Sequence, residues 1–497
     1  MGNSLPKNWV EAHLGDIAKL QNGYAFKSND FKSLGDVPVI RISNIFQGKI
    51  DLTEALFVDK NLIKDDFKVQ YGDILIAMSG ATTGKYGVYS DSEISLLNQR
   101  VGNLKLLIPD YGNKAFLYYL LGAIKEKIVE MAYGGAQPNI SSKLIESILV
   151  PLPPLGEQQR IVAKLDVLFG QLETIKKSLE NVPVLLKNFR QQVLTQAVTG
   201  KLTEEWREGR ELEDPKKVIN EIANRRRIKS SPSLLKKLDD IYNDMSLTVD
   251  YDSPKEWLDV NLDKVCEKFS YGTSTKSDET GDFVVLRMGN LQNGKINWND
   301  LKYTSDLSEF EKYKLDKGDV LFNRTNSPDL VGKTSIFEGE YSSIYAGYLI
   351  KIWNYNELNS YYLNYVMNSD FVRKWCWGVK SDGVSQSNIN AQKLSKLTIP
   401  FPSTKEQQEI VRRIDSLFAK ADAIEAQYTT LKEKIDKLPQ AILHKAFKGE
   451  LTQQLDTDGD ARDLLKAIEK LKSSATKTKK SKAYKTNTSL KKVAEPK

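Results

Sequence analysis

Two stretches carry the residue types of a phosphate-cradling loop, Gly80-Ala-Thr-Thr-Gly84-Lys85-Tyr86 and Gly332-Lys333-Thr334. Such a loop needs a leading glycine, four residues, then Gly-Lys followed by a hydroxyl for magnesium. The first stretch has its glycines one residue too close and a tyrosine in place of the hydroxyl. The second has Ser327 where the leading glycine belongs. Neither is expected to bind a nucleotide. Metal and covalent chemistry fare no better: Cys266 and Cys376 are the only cysteines and lack CxxC spacing, and His13 and His444 are the only histidines. A His/Cys zinc site is nearly excluded, and neither histidine is flanked by a nucleophile motif. No Asn/Asp-Pro-Pro-Tyr/Phe tetrapeptide, no GxGxxG opening a helix and no clear carboxylate-lysine nuclease signature occurs either. The chain reads as non-catalytic.

What it does carry is a set of hydrogen-bonding side chains that occurs twice. Arg41, Ser43 and Asn44 lie in an Arg-x-x-Asn turn, repeated as Arg287 and Asn290. A loop follows each Gly-Asp-Ile/Val-Leu run. One holds Ser79, Thr82 and Lys85, the other Arg324, Thr325, Asn326 and Lys333, so the two diverge between similar anchors. Gln137 with Asn139, and Gln386 with Asn388, form a third repeated cluster, and Arg100 adds a lone cation. Arginine can donate to phosphate or pair with guanine, and a side-chain amide can pair with adenine. Each set also has a plainer reading. Asn44 and Asn290 can supply turn geometry beside Gly48 and Gly294. The Gln and Asn pairs can cap helices beginning near Ile140 and Ile389. Lys85, Arg100, Arg324 and Lys333 can be solvated charges, as can Arg225, Arg226 and Arg227 at a helix end.

The elements that must position these side chains form a tandem duplication with a period of about 246 to 249 residues. Pro6-Lys-Asn-Trp9 returns as Pro254-Lys-Glu-Trp257, Gly72-Asp-Ile-Leu75 as Gly318-Asp-Val-Leu321, and Gly84-Lys85 as Gly332-Lys333. Short β-like runs (37–42, 73–77, 101–108; 283–288, 319–322, 348–353) alternate with Gly/Asn/Asp turns, and a helix closes each set, 115–131 and 358–375. Mixed domains result, spanning 1–150 and 251–399.

After each domain comes the strongest match, Pro151-Leu-Pro153…Glu157-Gln-Gln-Arg-Ile161 against Pro400-Phe-Pro402…Glu406-Gln-Gln-Glu-Ile410. The prolines bar helix before this point, and Glu157 or Glu406 then suits the positive end of a helix dipole. Beyond it apolar residues recur at alternating steps of four and three. They are Ile161, Leu165, Leu168, Leu172, Ile175 and Leu179 in one copy, and Ile410, Ile414, Leu417, Ile424, Leu431 and Ile435 in the other. This is a coiled-coil seam. Helices of roughly 40 residues span about 60 Å, and neither buries its stripe alone. The fold class expected is therefore α+β: two globular mixed α/β domains in tandem duplication, separated by two long helices packed as an antiparallel coiled coil. The spacer helices occupy 151–200 and 400–453. Pro183 and Pro439 should kink or break them, and Gly200 and Gly449 should stop them. A helical insert fills 201–250 and a short helical extension 454–472.

The 497 residues are 28% charged and 40% hydrophobic, an ordinary globular balance with no run long enough to span a membrane and no apolar signal-peptide core near Met1. A cytoplasmic location is expected. The net charge of +7 suggests a polyanion partner, but residues 470–497 hold ten lysines against Glu495 alone, which takes the remaining chain from +7 to −2. Any anion-binding surface must be a local patch. The tail, 473–497, is expected to be disordered.

Two variable α+β domains, each followed by a Pro-x-Pro…Glu-Gln-Gln-x-Ile…Leu-Phe helix and a Gly-x-Leu-Thr end, resemble the DNA specificity subunit of type I restriction-modification systems over residues 1 to about 470. The resemblance implies that each globular unit is a target recognition domain reading one half of a split double-stranded DNA sequence, so that the repeated polar residues above are DNA-binding. It implies that the helices act as spacer and as docking surface for two methyltransferase subunits carrying S-adenosylmethionine. Two motor and endonuclease subunits would add ATP and Mg2+, and this chain would hold no cofactor or metal. The central insert, Leu202 to Tyr251, is longer than in the shortest members. Two rival readings are a coiled-coil scaffold with duplicated protein-binding domains and a standalone nuclease or methyltransferase.

Overall fold

The computed structural model describes residues 5–133, 138–384 and 386–474. Gln137 and the tail beyond residue 474 lie outside the described residues. The chain divides into two compact units, Met1–Leu179 with Thr430–Lys497, and Glu180–Thr429. The division cuts across the repeat: each unit joins one globular domain and its own insert or extension to helix segments from both copies.

In the first unit the strand Val10–His13 pairs antiparallel with Leu149–Leu152, fastening the start of the domain to its end. Between them lie a six-stranded sheet, in which Val101–Leu106 sits between Ala18–Asn22 and Ile74–Ala77, and a four-stranded sheet centred on Val37–Ile40 and Ser95–Leu97. The helix Lys114–Ala132 starts where the Asn113 side chain accepts from the backbone of Ala115 and Phe116. Its buried Phe116, Leu117, Leu120 and Leu121 pack with Ile74, Ile76 and Leu104 of the sheet.

The second unit repeats this plan. Leu258–Asn261 pairs with Thr398–Phe401, and Leu349–Asn354 sits between Cys266–Tyr271 and Val320–Asn323. One expected helix is two here, Ser360–Met367 and Asp370–Val379, because the Ser369 hydroxyl accepts from Val372 N and starts a new helix. The insert forms helices Pro215–Ile228 and Pro232–Asn243, and Val218, Ile219 and Ile222 of the former are buried in the unit's core.

The spacer helices are Leu155–Glu180, continued after a turn at Asn181 by Val182–Val198, and Thr404–Phe447. Pro183 falls in the first turn of the restarted helix, where its missing N–H costs nothing, while Pro439 is carried inside the 44-residue helix. Pairing is antiparallel within each unit. In the first, Ile161 and Leu165 share a core with Leu443 and Phe447, and Lys176 meets Asp436 at 3.7 Å. In the second, Arg190 bonds Asp422 and Glu425, and further on Leu202 accepts from Arg413. The expected seam is buried at Ile161, Leu165, Leu172, Ile410, Ile414 and Ile435, and Leu168, Leu179 and Leu417 are half-buried. Ile175, Ile424 and Leu431 correct that expectation, at 46%, 50% and 44% exposed. Towards the helix ends the seam joins the cores of the globular domains, and the three exposed positions are absent from those cores.

Both helix-opening glutamates are fully buried, so they do more than face a helix dipole. Glu157 accepts from the indole of Trp9, and Glu406 from that of Trp257. Gly200 and Gly449 end their helices in the left-handed region, φ +71° and +76°. Each lies so close to a proline ring, Pro254 or Pro6, that a Cβ would stand 2.3 Å from it. Glycine is needed there on both counts.

Candidate nucleic-acid interface

Three of the repeated polar sets converge at one end of the main sheet in each unit. In the first unit the strand Ile74–Ala77 runs out at Met78, whose N–H donates to Arg100 O at 3.0 Å and whose carbonyl accepts from Ile140 N at 2.9 Å. Gly80 N then donates to Pro138 O, and Ser79 bridges Asn139. The 79–85 loop and the Asn139 segment therefore run side by side. Among the described residues, the buried Ser79 Oγ and Thr82 Oγ1 have no hydrogen-bond partner. Ser43, Lys85 and Arg100 are exposed around them.

The second unit keeps the frame. Arg324 N donates to Tyr348 O at 3.0 Å, and Arg324 O accepts from Ile389 N at 2.9 Å. Thr325–Asn326 pairs with Ser387–Asn388, which in turn pairs with Ser381–Asp382. Arg324 Nη2 donates to Asn388 Oδ1 at 3.2 Å, Asn388 Nδ2 donates to Thr325 Oγ1 at 2.8 Å, and the guanidinium lies 4.7 Å above the Tyr271 ring. Asn326 Oδ1 accepts from Ser327 N. Lys333 Nζ donates to Gln292 at 2.8 Å, and burial pushes its pKa below the usual lysine range. Gln386 is exposed.

The Arg-x-x-Asn turns abut these loops but spend their amides inward. Asn44 is buried, its Oδ1 accepting from Arg41 N at 2.9 Å and its Nδ2 donating to Asp51 O at 3.0 Å. Asn290 does the same with Arg287 N, Asn297 O and Asn299 O. Arg41 reaches Glu54 O and Arg287 reaches Asp300 O, each thirteen residues on. The repeated asparagines thus build the turn, and at the tip between them Ser43 in one unit and Gly289 in the other are exposed. The capping alternative for Asn139 and Asn388 does not apply, because Ser141 and Asn390 make those caps two residues later. Arg225, Arg226 and Arg227 are not a loose cationic end: they bond Glu357, Asp263 O and Asp239 respectively.

Tyr271 and Tyr348 were not legible as parts of this site. Tyr271 ends its strand and Tyr348 lies in the turn just before Leu349–Asn354, each more than twenty residues from Arg324, so local pattern does not join them to it. Among the described residues no helix is long and apolar enough to cross a membrane.

A family model described as "Type I restriction modification DNA specificity domain" matches the chain twice, over residues 6–183 and 254–433. The specificity subunit of the type I restriction enzyme EcoKI from Escherichia coli K12 is 30% identical, covering 90% of each chain. That of StySPI from Salmonella potsdam is also 30% identical, again over 90% of each. Among solved structures, a chain from a study of assembly and conformational transition of the type I R-M system matches with a TM-score of 0.62 at 18% identity, over 90% of this chain and all of that one. The HsdS subunit from Thermoanaerobacter tengcongensis matches at 0.54 and 18%, over 90% and 98%. Two recognition-type domains on one frame, each followed by the Glu-Gln-Gln helix and matched over nearly the whole length of these relatives, place the chain in the type I restriction-modification DNA specificity family.

Proposed function

We propose that this chain is the non-catalytic, DNA-reading subunit of a type I restriction-modification complex, each globular domain reading one half of a bipartite duplex target. The observation that carries this is the loop frame. Identical backbone hydrogen bonds at Met78 and Arg324 support different side chains, as two readers of different half-sites require. The polar residues around each frame, Ser43, Ser79, Thr82, Lys85, Arg100 and Asn139 in one unit and Arg324, Thr325, Asn326, Lys333, Gln386 and Asn388 in the other, supply contacts to base edges and phosphates. Arg41 and Arg287 hold the turns that present them.

The chain works in the cytoplasm with two methyltransferase subunits docked on the spacer helices and two motor and endonuclease subunits beyond them. S-adenosylmethionine, ATP and Mg2+ belong to those partners. The test is to map methylated bases in cells with and without this gene, together with footprinting of the chain bound to its methyltransferase partner. Modification at one bipartite sequence that vanishes with the gene, and two protected patches about one helical turn apart, are expected. Protection without sequence preference would favour a protein-binding scaffold.

A further inference from the structure

The two units place one arginine each at the same backbone hydrogen bond, but on opposite sides of it. In the first unit the bond runs from Met78 N to Arg100 O, and in the second from Arg324 N to Tyr348 O. The following bond, Ile140 N to Met78 O or Ile389 N to Arg324 O, is shared too. A third matched position stands on the neighbouring strand, where Asn22 pairs across to Gly102 and Tyr271 to Ile350. Parallel bridges Tyr24 to Asn98 and Thr273 to Ala346 fix that strand's register in both. The backbones therefore correspond while all three side chains differ.

What the side chains do differs accordingly. Met78 is buried in the first unit's core and offers nothing polar, while Arg100 is exposed. In the second unit Arg324 is half-buried and held on two sides, by Asn388 Oδ1 at 3.2 Å and by the Tyr271 ring at 4.7 Å. The ring is itself fixed, because its hydroxyl accepts from Ala391 N at 2.9 Å. Arg324 Nε is buried and has no partner among the described residues. A guanidinium ordered by stacking has lost its rotamer freedom before any ligand arrives, which favours pairing through its planar fork.

We propose that these three matched positions determine which bases each unit reads, with Arg324 presented by Tyr271 to a guanine in one half-site and Arg100 serving the other. This rests on the reading of the chain as a two-headed DNA reader and adds the residues and the base. Tyr271 is a positioning residue: it acts through Arg324. A fork pairs with guanine O6 and N7 where a lysine offers only a point charge.

The test uses the full chain with its methylating partner acting on a plasmid library in which both half-sites are randomised. With Arg324→Lys, discrimination at one G·C pair of one half-site should fall about tenfold or more, the other half-site being unchanged. Tyr271→Asn should relax that same pair, and Tyr271→Phe, which keeps the ring under Arg324 but loses the hydroxyl that Ala391 N holds, should relax it less. Arg100→Ala should act only on the other half-site. Should Tyr271→Asn fail to fold, as judged by thermal unfolding, Arg324→Lys and Arg100→Ala decide. Unchanged preferences in both, relaxation of the same half-site by both, or relaxation at an A·T pair by Arg324→Lys would overturn the inference while leaving the two-headed reading intact. A wild-type chain that selects no bipartite sequence would remove that reading instead.

Discussion

Thr452 Oγ1 donates to Glu157 Oε1 at 3.0 Å, tying the Gly-x-Leu-Thr end of the second copy to the helix start of the first. Trp9 Nε1 holds the other carboxylate oxygen at 2.7 Å, and Gln454 Nε2 adds a third donor at 2.8 Å. The second unit closes in the same way with the first copy's end: Thr203 at 2.7 Å and Trp257 at 2.9 Å meet on Glu406. There the third donor is Arg207 at 2.6 Å, itself largely buried. This difference sets an expectation. Glu157→Gln turns one acceptor oxygen into an amide NH2 that faces a neutral donor, and should cost about 1–3 kcal/mol. Glu406→Gln takes the buried counter-charge from the Arg207 guanidinium, leaving it only the exposed Glu256 at 3.7 Å, and should cost more, up to about 3–5 kcal/mol. Denaturant unfolding of the two full-length variants compares them, and equal losses would refute the distinction.

A pH dependence follows from Asp458. Its two oxygens accept a fork from Arg160, both bonds 2.6 Å, and the Leu455 N–H adds a third. The Arg160 hydrogen bonds hold the carboxyl below the usual range, against the opposing effect of burial. A carboxyl depressed in the folded state contributes stability above its unfolded pKa and loses it as pH falls through the folded one. Asp458→Asn should therefore cost the first unit about 1–2 kcal/mol at pH 7, reduced by the partial exposure of Arg160. The gap between variant and wild type should shrink below about pH 4. Melting curves at pH 7 and at pH 3.5 read it, and a gap that widens on acidification would contradict the assignment.

The strands are legible as short apolar runs bounded by Gly, Asn and Asp turns. The run from Asp73 to Ala77 predicts a strand and Ile74–Ala77 is one, and the helix expected over 115–131 is Lys114–Ala132. The break at Ser369 was not legible, since apolar periodicity runs through it from Leu363 and Val366 to Val372 and Trp375, and only the serine cap ends it. Asn44 shows the harder limit. The same amide suits a turn or an adenine, and what decides is Asp51 O folding back over it. The pairing of Thr452 with Glu157 joins residues nearly 300 apart, and local pattern says nothing about that. Tyr271 is invisible for the same reason: its stacking on Arg324 reaches across the intervening strand Leu349–Asn354.

The seam gives a graded expectation. Ile414 is fully buried under the second unit's domain, whereas Ile424, on the same helix, is half exposed. Ile414→Ala should cost about 2–5 kcal/mol through lost burial and the cavity left behind. Ile424→Ala should cost less than about 1 kcal/mol in the isolated chain. Equal costs would mean that the mid-helix stripe is covered in the isolated chain. If a methyltransferase partner docks there, Ile424→Ala should instead weaken its association, measured by analytical ultracentrifugation of the mixed subunits.

The cysteines offer a probe confined to the second unit. Cys266, on the strand Cys266–Tyr271, and Cys376, on the helix Asp370–Val379, are both buried in that unit's core. Burial pushes the Cys376 thiol up to about 12 and the Cys266 thiol higher still. The thiolate is the reactive form, so at pH 8 neither should react with a thiol reagent while the unit is folded. Both should react at once in denaturant, and the rate in between follows the opening of this core alone. Glu406→Gln should therefore accelerate labelling, whereas Glu157→Gln, which weakens the other unit, should leave it unchanged. Equal acceleration by both variants would show that the two cores open together and not as separate units.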